Sequence, residues 1–262
     1  VASGVAGFGL CPNVALAWKY LREGDTLILA FEESLLKGDD TTTCTNAGLT
    51  QVASRLGLSM FQDGVIPFNY DHFRRSVQLE SKIIYFNIFK SIFFPNNLYR
   101  YLYGTTLHET GWLEIFGLPS FQNYLGLISP PKNLTEEGIS DDTKQYYQHL
   151  KQKAKEKKIR IIASQSPIYA HPKMAARSAW QALELTRMGI PVVYTPDFGY
   201  YTNHDWMGDI HVHLRSAGAK HFSSLLAKSL QEQRFWTEAE LIDELHKRGW
   251  NEDGSRISDD EK

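Results

Sequence analysis

Ile159-Arg160-Ile161-Ile162-Ala163-Ser164, a helical stretch from Ala175 to Met188 closed by Gly189, and Ile190-Pro191-Val192-Val193-Tyr194 form the part of the chain that decides the fold. Two short apolar runs flank a segment whose apolar residues recur at helical spacing. Gly189 stands where a left-handed cap closes such a helix. Working outward, Asp141 to Lys158 reads as a second helix, with Tyr146, Tyr147, Leu150 and Ala154 on one stripe and a Lys-rich end that suits a helix C-terminus. Its charge run is a solvated face. Upstream, Thr26-Leu27-Ile28-Leu29-Ala30-Phe31 lies between the Gly24-Asp25 break and Glu32-Glu33, as a strand buried on both faces reads. Strands alternating with helices predict crossover units and a mostly parallel sheet, hence an α/β fold and a three-layer α/β/α sandwich of flavodoxin-like type. Ligands of such sheets bind beyond the carboxyl ends of the strands, so the loops after Phe31, Ser164 and Tyr194 should share one rim.

The rest of the chain fits around this frame. Ser3-Gly4-Val5-Ala6-Gly7-Phe8-Gly9, then Pro12 and an apolar stretch from Val14 to Leu21, read as a turn feeding a helix. Asn46 to Ser59 and His72 to Phe94 have helical spacing and many aromatics. Leu98 to Leu127 has no sustained period, so about 95–131 is expected to be an aromatic-rich, lid-like insertion. One domain is expected over 1–250, followed by a polar, frayed tail over 251–262.

Composition excludes several classes. With 262 residues and 42% hydrophobic content the chain can bury a sizeable core, which excludes whole-chain disorder. The 28 basic and 30 acidic residues leave a net charge of −2, so no global field exists to hold a nucleic acid, and no nucleic-acid partner is expected. Ile83 to Phe94 is interrupted by Asn87 and Lys90 and falls far short of the roughly 20 residues that cross a bilayer. The opening Val1-Ala2-Ser3-Gly4 reads as a processed or trimmed start, leaving room for a membrane anchor or a membrane-associated partner upstream. Cys11 and Cys44 allow one bridge, but they are expected to be two buried thiols rather than a catalytic pair, since neither has a His or Asp at a telling spacing.

Chemistry concentrates in His204-Asp205-Trp206-Met207-Gly208-Asp209-Ile210-His211-Val212-His213-Leu214-Arg215-Ser216-Ala217-Gly218, just past the third strand and ahead of an amphipathic helix from Ala219 to Leu230. An imidazole with a carboxylate a few residues away gives a general base whose tautomer and orientation the acid fixes. The same residues are also compatible with a polar loop, a helix-capping Ser216 and incidental histidines. Metal binding competes too, since Asp209, His211 and His213 with His171, His204 or His221 have ligand chemistry. Too little chain follows His213 to build the amidohydrolase barrel that Asp-Ile-His-Val-His would otherwise suggest, and no metal site is expected.

The order of Gly24 to Glu32, Ile161 to Pro167, Met188 to Val192 and Asp209 to Gly218 resembles that of the SGNH (GDSL-type) hydrolases. It is most similar to their divergent surface-polysaccharide branch, which includes bacterial O-acetyltransferases and the D-alanyl transfer protein of teichoic acid. The resemblance implies a Ser-His-Asp acyl-enzyme mechanism without a cofactor, an acyl ester or glycan substrate, and a place outside the cytoplasm. It makes His213 the base, Asp209 its orienting acid and Gly7 the oxyanion donor, with Gly4 next. Backbone N–H groups suit that task because they are preorganised towards the charge of the transition state. A glycine turn ahead of a helix is the purely structural alternative for this opening. The family's commoner spacing is Asp-x-x-His, whereas Asp209 lies four before His213, so Asp205 is the alternative acid. The third block's Asn falls near Glu32. The nucleophile is expected either upstream of Val1 or at Ser3. Trp206 is expected to contact substrate, with Tyr200 and Tyr201 as further sugar-stacking candidates. The different-class alternative is a non-catalytic carbohydrate-binding or assembly module on the same fold.

Overall fold

The structure is a computed structural model that describes residues 10–30, 133–169, 172–196 and 216–257, short stretches at 63–66, 105–107, 113–115 and 200–201, and single residues at 36, 70, 74, 77, 78, 81, 82, 85 and 214. Its elements are α1 (Leu10–Trp18), β1 (Thr26–Leu29), β2 (Thr105–Leu107), β3 (Leu113–Ile115), α2 (Asp141–Lys157), β4 (Arg160–Ala163), β5 (Ile168–Tyr169), α3 (Pro172–Arg187), β6 (Tyr200–Tyr201), α4 (Ser216–Gln231) and α5 (Glu238–Lys247). The fold is mixed α/β and rich in helix. The chain groups into two compact units, one of Val1–Asp25, Gly38–Gly117 and His149–Ile159, the other of Thr26–Lys37, Leu118–Gln148 and Arg160–Lys262.

In the second unit β1 pairs with β4 in parallel, Thr26 opposite Arg160 and Leu29 opposite Ala163. Val192 continues the sheet beside Ala163, also in parallel, and Phe235 closes it antiparallel to Val193. The three runs expected to be parallel strands therefore lie side by side with β4 in the middle. β1 departs from the expectation of burial on both faces: Leu27 and Leu29 are buried, while Thr26, Ile28 and Ala30 are exposed. Among the described residues it pairs with β4. α3 is buried nearly all round through Ala175, Ala176, Ala179, Trp180, Ala182, Leu183 and Leu185. Small residues on this helix allow close approach, and α5 and a 3-10 turn at Leu134–Glu137 pack against it. α5 buries Leu241 and Leu245 fully. Each such leucine contributes about 2–3 kcal/mol.

Four helices end in the same device. Lys158, Gly189, Gln233 and Gly249 take φ of 57°, 72°, 51° and 80°. In each case the next N–H reaches back over the last turn: Ile159 to Ala154 O at 2.9 Å, Ile190 to Leu185 O at 3.0 Å, Arg234 to Ser229 O at 2.8 Å and Trp250 to Leu245 O at 3.1 Å. This is the Schellman closure, and it turns the chain sharply out of the helix. Gly189 and Gly249 adopt the left-handed conformation without a Cβ penalty. The helix starts are also explicit. Thr143 N donates to Ser140 Oγ at 3.2 Å at the head of α2. Thr237 and Glu240 form a complete capping box on α5.

In the first unit α1 buries Leu10, Cys11, Val14, Ala15 and Trp18 along one face. Lys157 Nζ donates to Trp18 O at 2.9 Å and lies 5.3 Å from the Trp18 ring centroid, so a cation satisfies the helix C-terminus. Cys11 is disulfide-bonded. Cys44 is the other cysteine of the sequence, so the two expected thiols are corrected to one bridge. The stripe expected on α2 is buried at all four positions. Burial pushes the Tyr146 and Tyr147 phenols up from their usual pKa.

Three further expectations meet the structure unevenly. The insertion contains an antiparallel pair, β2 with β3, and the rest of 95–131 lies outside the described residues. Residues 70, 74, 77, 78, 81, 82 and 85 are helical, whereas Asn46 to Ser59 lies outside the described residues. The tail is ordered as far as Ile257, correcting the expectation of fraying over 251–257. Asn251 N donates to Ser255 O at 2.8 Å, Ile257 N to Gly249 O at 3.1 Å, and Leu134 N to Gly254 O at 3.2 Å. Arg187 Nε also donates to Glu238 Oε1 at 2.7 Å and its Nη1 to Glu252 O at 3.2 Å, which ties this turn to α3.

Candidate functional site

The carboxyl ends of β1, β4 and the Val192 run meet on one rim, as the alternation of elements predicted. Ser164 N donates to Leu29 O at 2.9 Å and Val193 N to Ala163 O at 2.8 Å, so the three chains leave the sheet at one level. The loops after the second and third strands then meet again. β5 pairs with β6 in parallel, Ile168 opposite Tyr200 and Tyr169 opposite Tyr201. This places the backbone of Tyr201 beside the loop that follows β4. The histidine-rich block begins three positions later in sequence, at His204, and α4 starts at Ser216, within the end of that block and three residues ahead of the expected start at Ala219.

The residues on the sheet side of this rim are polar and buried. Ser164, Gln165, Ser178 and Thr195 are all buried. Ser164 Oγ donates to Gln165 O at 3.2 Å, and Gln165 Nε2 donates to Ser178 O on α3 at 3.3 Å. Gln165 Oε1 and Thr195 Oγ1 have no hydrogen-bond partner among the described residues. An orphaned buried polar atom costs about 1–3 kcal/mol, and native structures hold few of them. Gln165 was not singled out from the sequence. The signal was there: Ser164-Gln165-Ser166 is a polar run directly after the apolar residues of β4.

An aromatic and charged cluster fixes the outer edge of the rim. The Tyr194 ring lies 4.5 Å from the Trp236 ring, centroid to centroid, and the Arg234 guanidinium lies 4.4 Å from the Tyr194 centroid. Glu240 holds Arg234 through both carboxylate oxygens, one of them by Nη1 to Oε2 at 3.2 Å. The hydrogen bond from Arg234 is the main cause that pushes the Glu240 carboxyl down to about 2, and the carboxylate in turn raises the Arg234 pKa. Arg160, at the amino end of β4, lies 5.9 Å from the Phe235 centroid.

Gly7, Trp206, Asp209 and His213 lie outside the described residues, as do Ser3, Gly4, Glu32, His171, His204, Asp205 and His211. Of the histidines weighed as metal ligands, His221 is described, and it is exposed on α4. Tyr200 and Tyr201 are placed by their backbone pairing alone. Among the described residues no group of three or more His, Cys, Asp or Glu residues could hold a metal ion. No described helix is long and apolar enough to cross a membrane. Asn133 has a local task of its own: its Oδ1 accepts from Thr135 N at 3.1 Å and caps the 3-10 turn. No family model, curated protein or solved structure matches the chain.

Proposed function

We propose that the chain is an SGNH-like serine esterase or O-acyltransferase that acts on acyl esters of a cell-surface glycan, on a three-layer α/β/α sandwich. The observation that carries this is the shared rim: three parallel strand ends at one level, with β6 paired beside the loop after β4 and the histidine-rich block following β6 in sequence. Open α/β sheets bind their ligands at that position. In the proposed chemistry His213 takes the proton of a serine hydroxyl as its oxygen attacks the acyl carbonyl. Asp209 orients the imidazole and stabilises its cation, and the Gly7 N–H donates to the carbonyl oxygen as it becomes negative. Collapse expels the alcohol, which takes the proton from His213. Water or an acceptor hydroxyl then gives its proton to His213 as it attacks the acyl carbonyl, and the serine oxygen leaves with that proton, releasing the acid or the acylated acceptor and restoring the free serine. Trp206 supplies an apolar face for the sugar.

Action outside the cytoplasm, with a membrane-associated partner or anchor, belongs to the same proposal. The disulfide at Cys11 supports it, because such bonds persist in oxidising compartments and are rare in the cytosol.

Intact-mass labelling with a fluorophosphonate probe tests the reaction class, on this chain and on the chain extended upstream, with His213→Ala in each as control. The expected result is one adduct, at Ser3 or at an upstream serine, that His213→Ala abolishes along with ester turnover. No adduct on either form, or equal turnover by His213→Ala, overturns the enzyme and leaves a glycan-binding module on the same fold.

A further inference from the structure

We infer that the joined carboxyl ends of α1 and α2, in the first unit, form a basic surface that docks on an anionic lipid membrane. Lys157 Nζ donates to Trp18 O at 2.9 Å, Gly24 N donates to Lys158 O at 3.0 Å, and Lys158 Nζ pairs with Glu23 Oε1 at 2.8 Å. This junction unites residues 18–25 with 149–159, which hold seven Lys or Arg and three Asp or Glu, a local charge of +4 in a chain whose net charge is −2. Helix ends do not account for that surplus. Each carboxyl end carries about half a negative charge, so the two together offset about one unit. Lys157 already serves the α1 end, while Lys153 and Lys158 pair with Glu156 and Glu23. Lys19, Arg22 and Lys155 are exposed, and their side chains form no ion pair among the described residues.

Two features select a lipid surface over other anions. Six of the seven cations are lysines, mobile point charges that suit a fluid array of phosphates better than the fixed geometry of one ligand. Tyr20 stands between Lys19 and Leu21-Arg22 with 72% of its surface open. A phenol with a polar tip settles at headgroup level, where the ring leaves water and the hydroxyl stays wet. Fields decay within about 8 Å at physiological ionic strength, so acidic residues elsewhere in the chain do not cancel the patch. The assignment goes beyond the esterase reading and does not depend on it, since vesicle binding and fluorophosphonate labelling are separate readouts.

The test is co-sedimentation of the full chain with vesicles of pure phosphatidylcholine and with vesicles in which about one third of the lipid is phosphatidylglycerol. The expected result is binding to the anionic vesicles alone, lost at about 1 M salt, where charges are screened within about 3 Å. A cation near such a surface changes affinity about fivefold, so Lys19→Gln combined with Lys155→Gln should weaken binding about 25-fold. Tyr20→Ser should weaken it as well and leave the salt dependence unchanged. Lys220→Gln combined with Lys228→Gln removes two exposed cations on α4 and should bind as the parent does. No binding by the parent, equal binding to both vesicles, persistence at high salt, equal binding by the Lys19 and Lys155 variant, or an equal loss in the α4 variant overturns the assignment. So does capture by dextran sulfate with the vesicles left unbound, which makes the partner a soluble polyanion. The lipid and salt comparisons use the parent chain alone and need no variant to fold.

Discussion

Glu240→Gln should remove a pH-dependent support beneath the rim. The Glu240 carboxylate accepts from both terminal nitrogens of Arg234, from Thr237 N at 2.9 Å and from Thr237 Oγ1 at 2.8 Å. Together these donors lower its pKa from 4.5 to about 2, with Arg234 the largest cause. A carboxyl whose pKa is depressed on folding contributes stability that is fully present above its unfolded value and fades as pH falls through the folded one. The window thus runs from 4.5 down to about 2. At about 1.36 kcal/mol per pH unit that interval has a ceiling of about 3 kcal/mol. The side chains of Arg234 and Glu240 are 40% and 35% exposed, however, so water screens the pair and about 1–2 kcal/mol is the realistic share. Urea unfolding of parent and variant should differ by that amount at about pH 7, and the difference should shrink towards zero at about pH 2. Added salt should narrow it at neutral pH. A difference that stays constant across the acidic range, or none at neutral pH, would refute the assignment of the depressed pKa to this pair.

Two further perturbations follow from covalent and steric facts. Reducing the disulfide at Cys11 should lower stability by about 2–4 kcal/mol, read as a fall in melting temperature with a phosphine reductant, and thiol titration of the unreduced, denatured chain should find no thiol. Two titrating thiols would sink the bridge. Gly138→Ala should cost about 1–3 kcal/mol, because a Cβ there meets Trp180 Nε1 at 2.8 Å and crowds the Glu184 carboxylate. That carboxylate cannot give way freely, since it accepts from Ile139 N at 2.6 Å and pairs with Lys144 at 2.6 Å. An unchanged unfolding midpoint in Gly138→Ala would show that this corner is loosely packed.

Local signals in the sequence were enough for the strands at 26–29 and 160–163, the extended run that bridges at Val192 and Val193, the stripe on α2 and the cap at Gly189. Strand runs, helical stripes and cap residues are short-range features, and each is written within a dozen residues. The same locality placed the histidine-rich block, in sequence, between the third strand and the body of α4. Tertiary structure decided what depends on neighbours distant in the chain. That β1 is covered on the Leu27 and Leu29 face and open on the Ile28 face is set by what packs over the sheet, which the identity of Ile28 does not reveal. Order in the tail as far as Ile257 comes from bonds to Leu134 and Arg187, more than a hundred and about sixty positions away in sequence. Gln165 reads in sequence as one polar residue in a loop. Its amide nitrogen is held by the Ser178 carbonyl on α3, a pairing that exists only after the chain has folded.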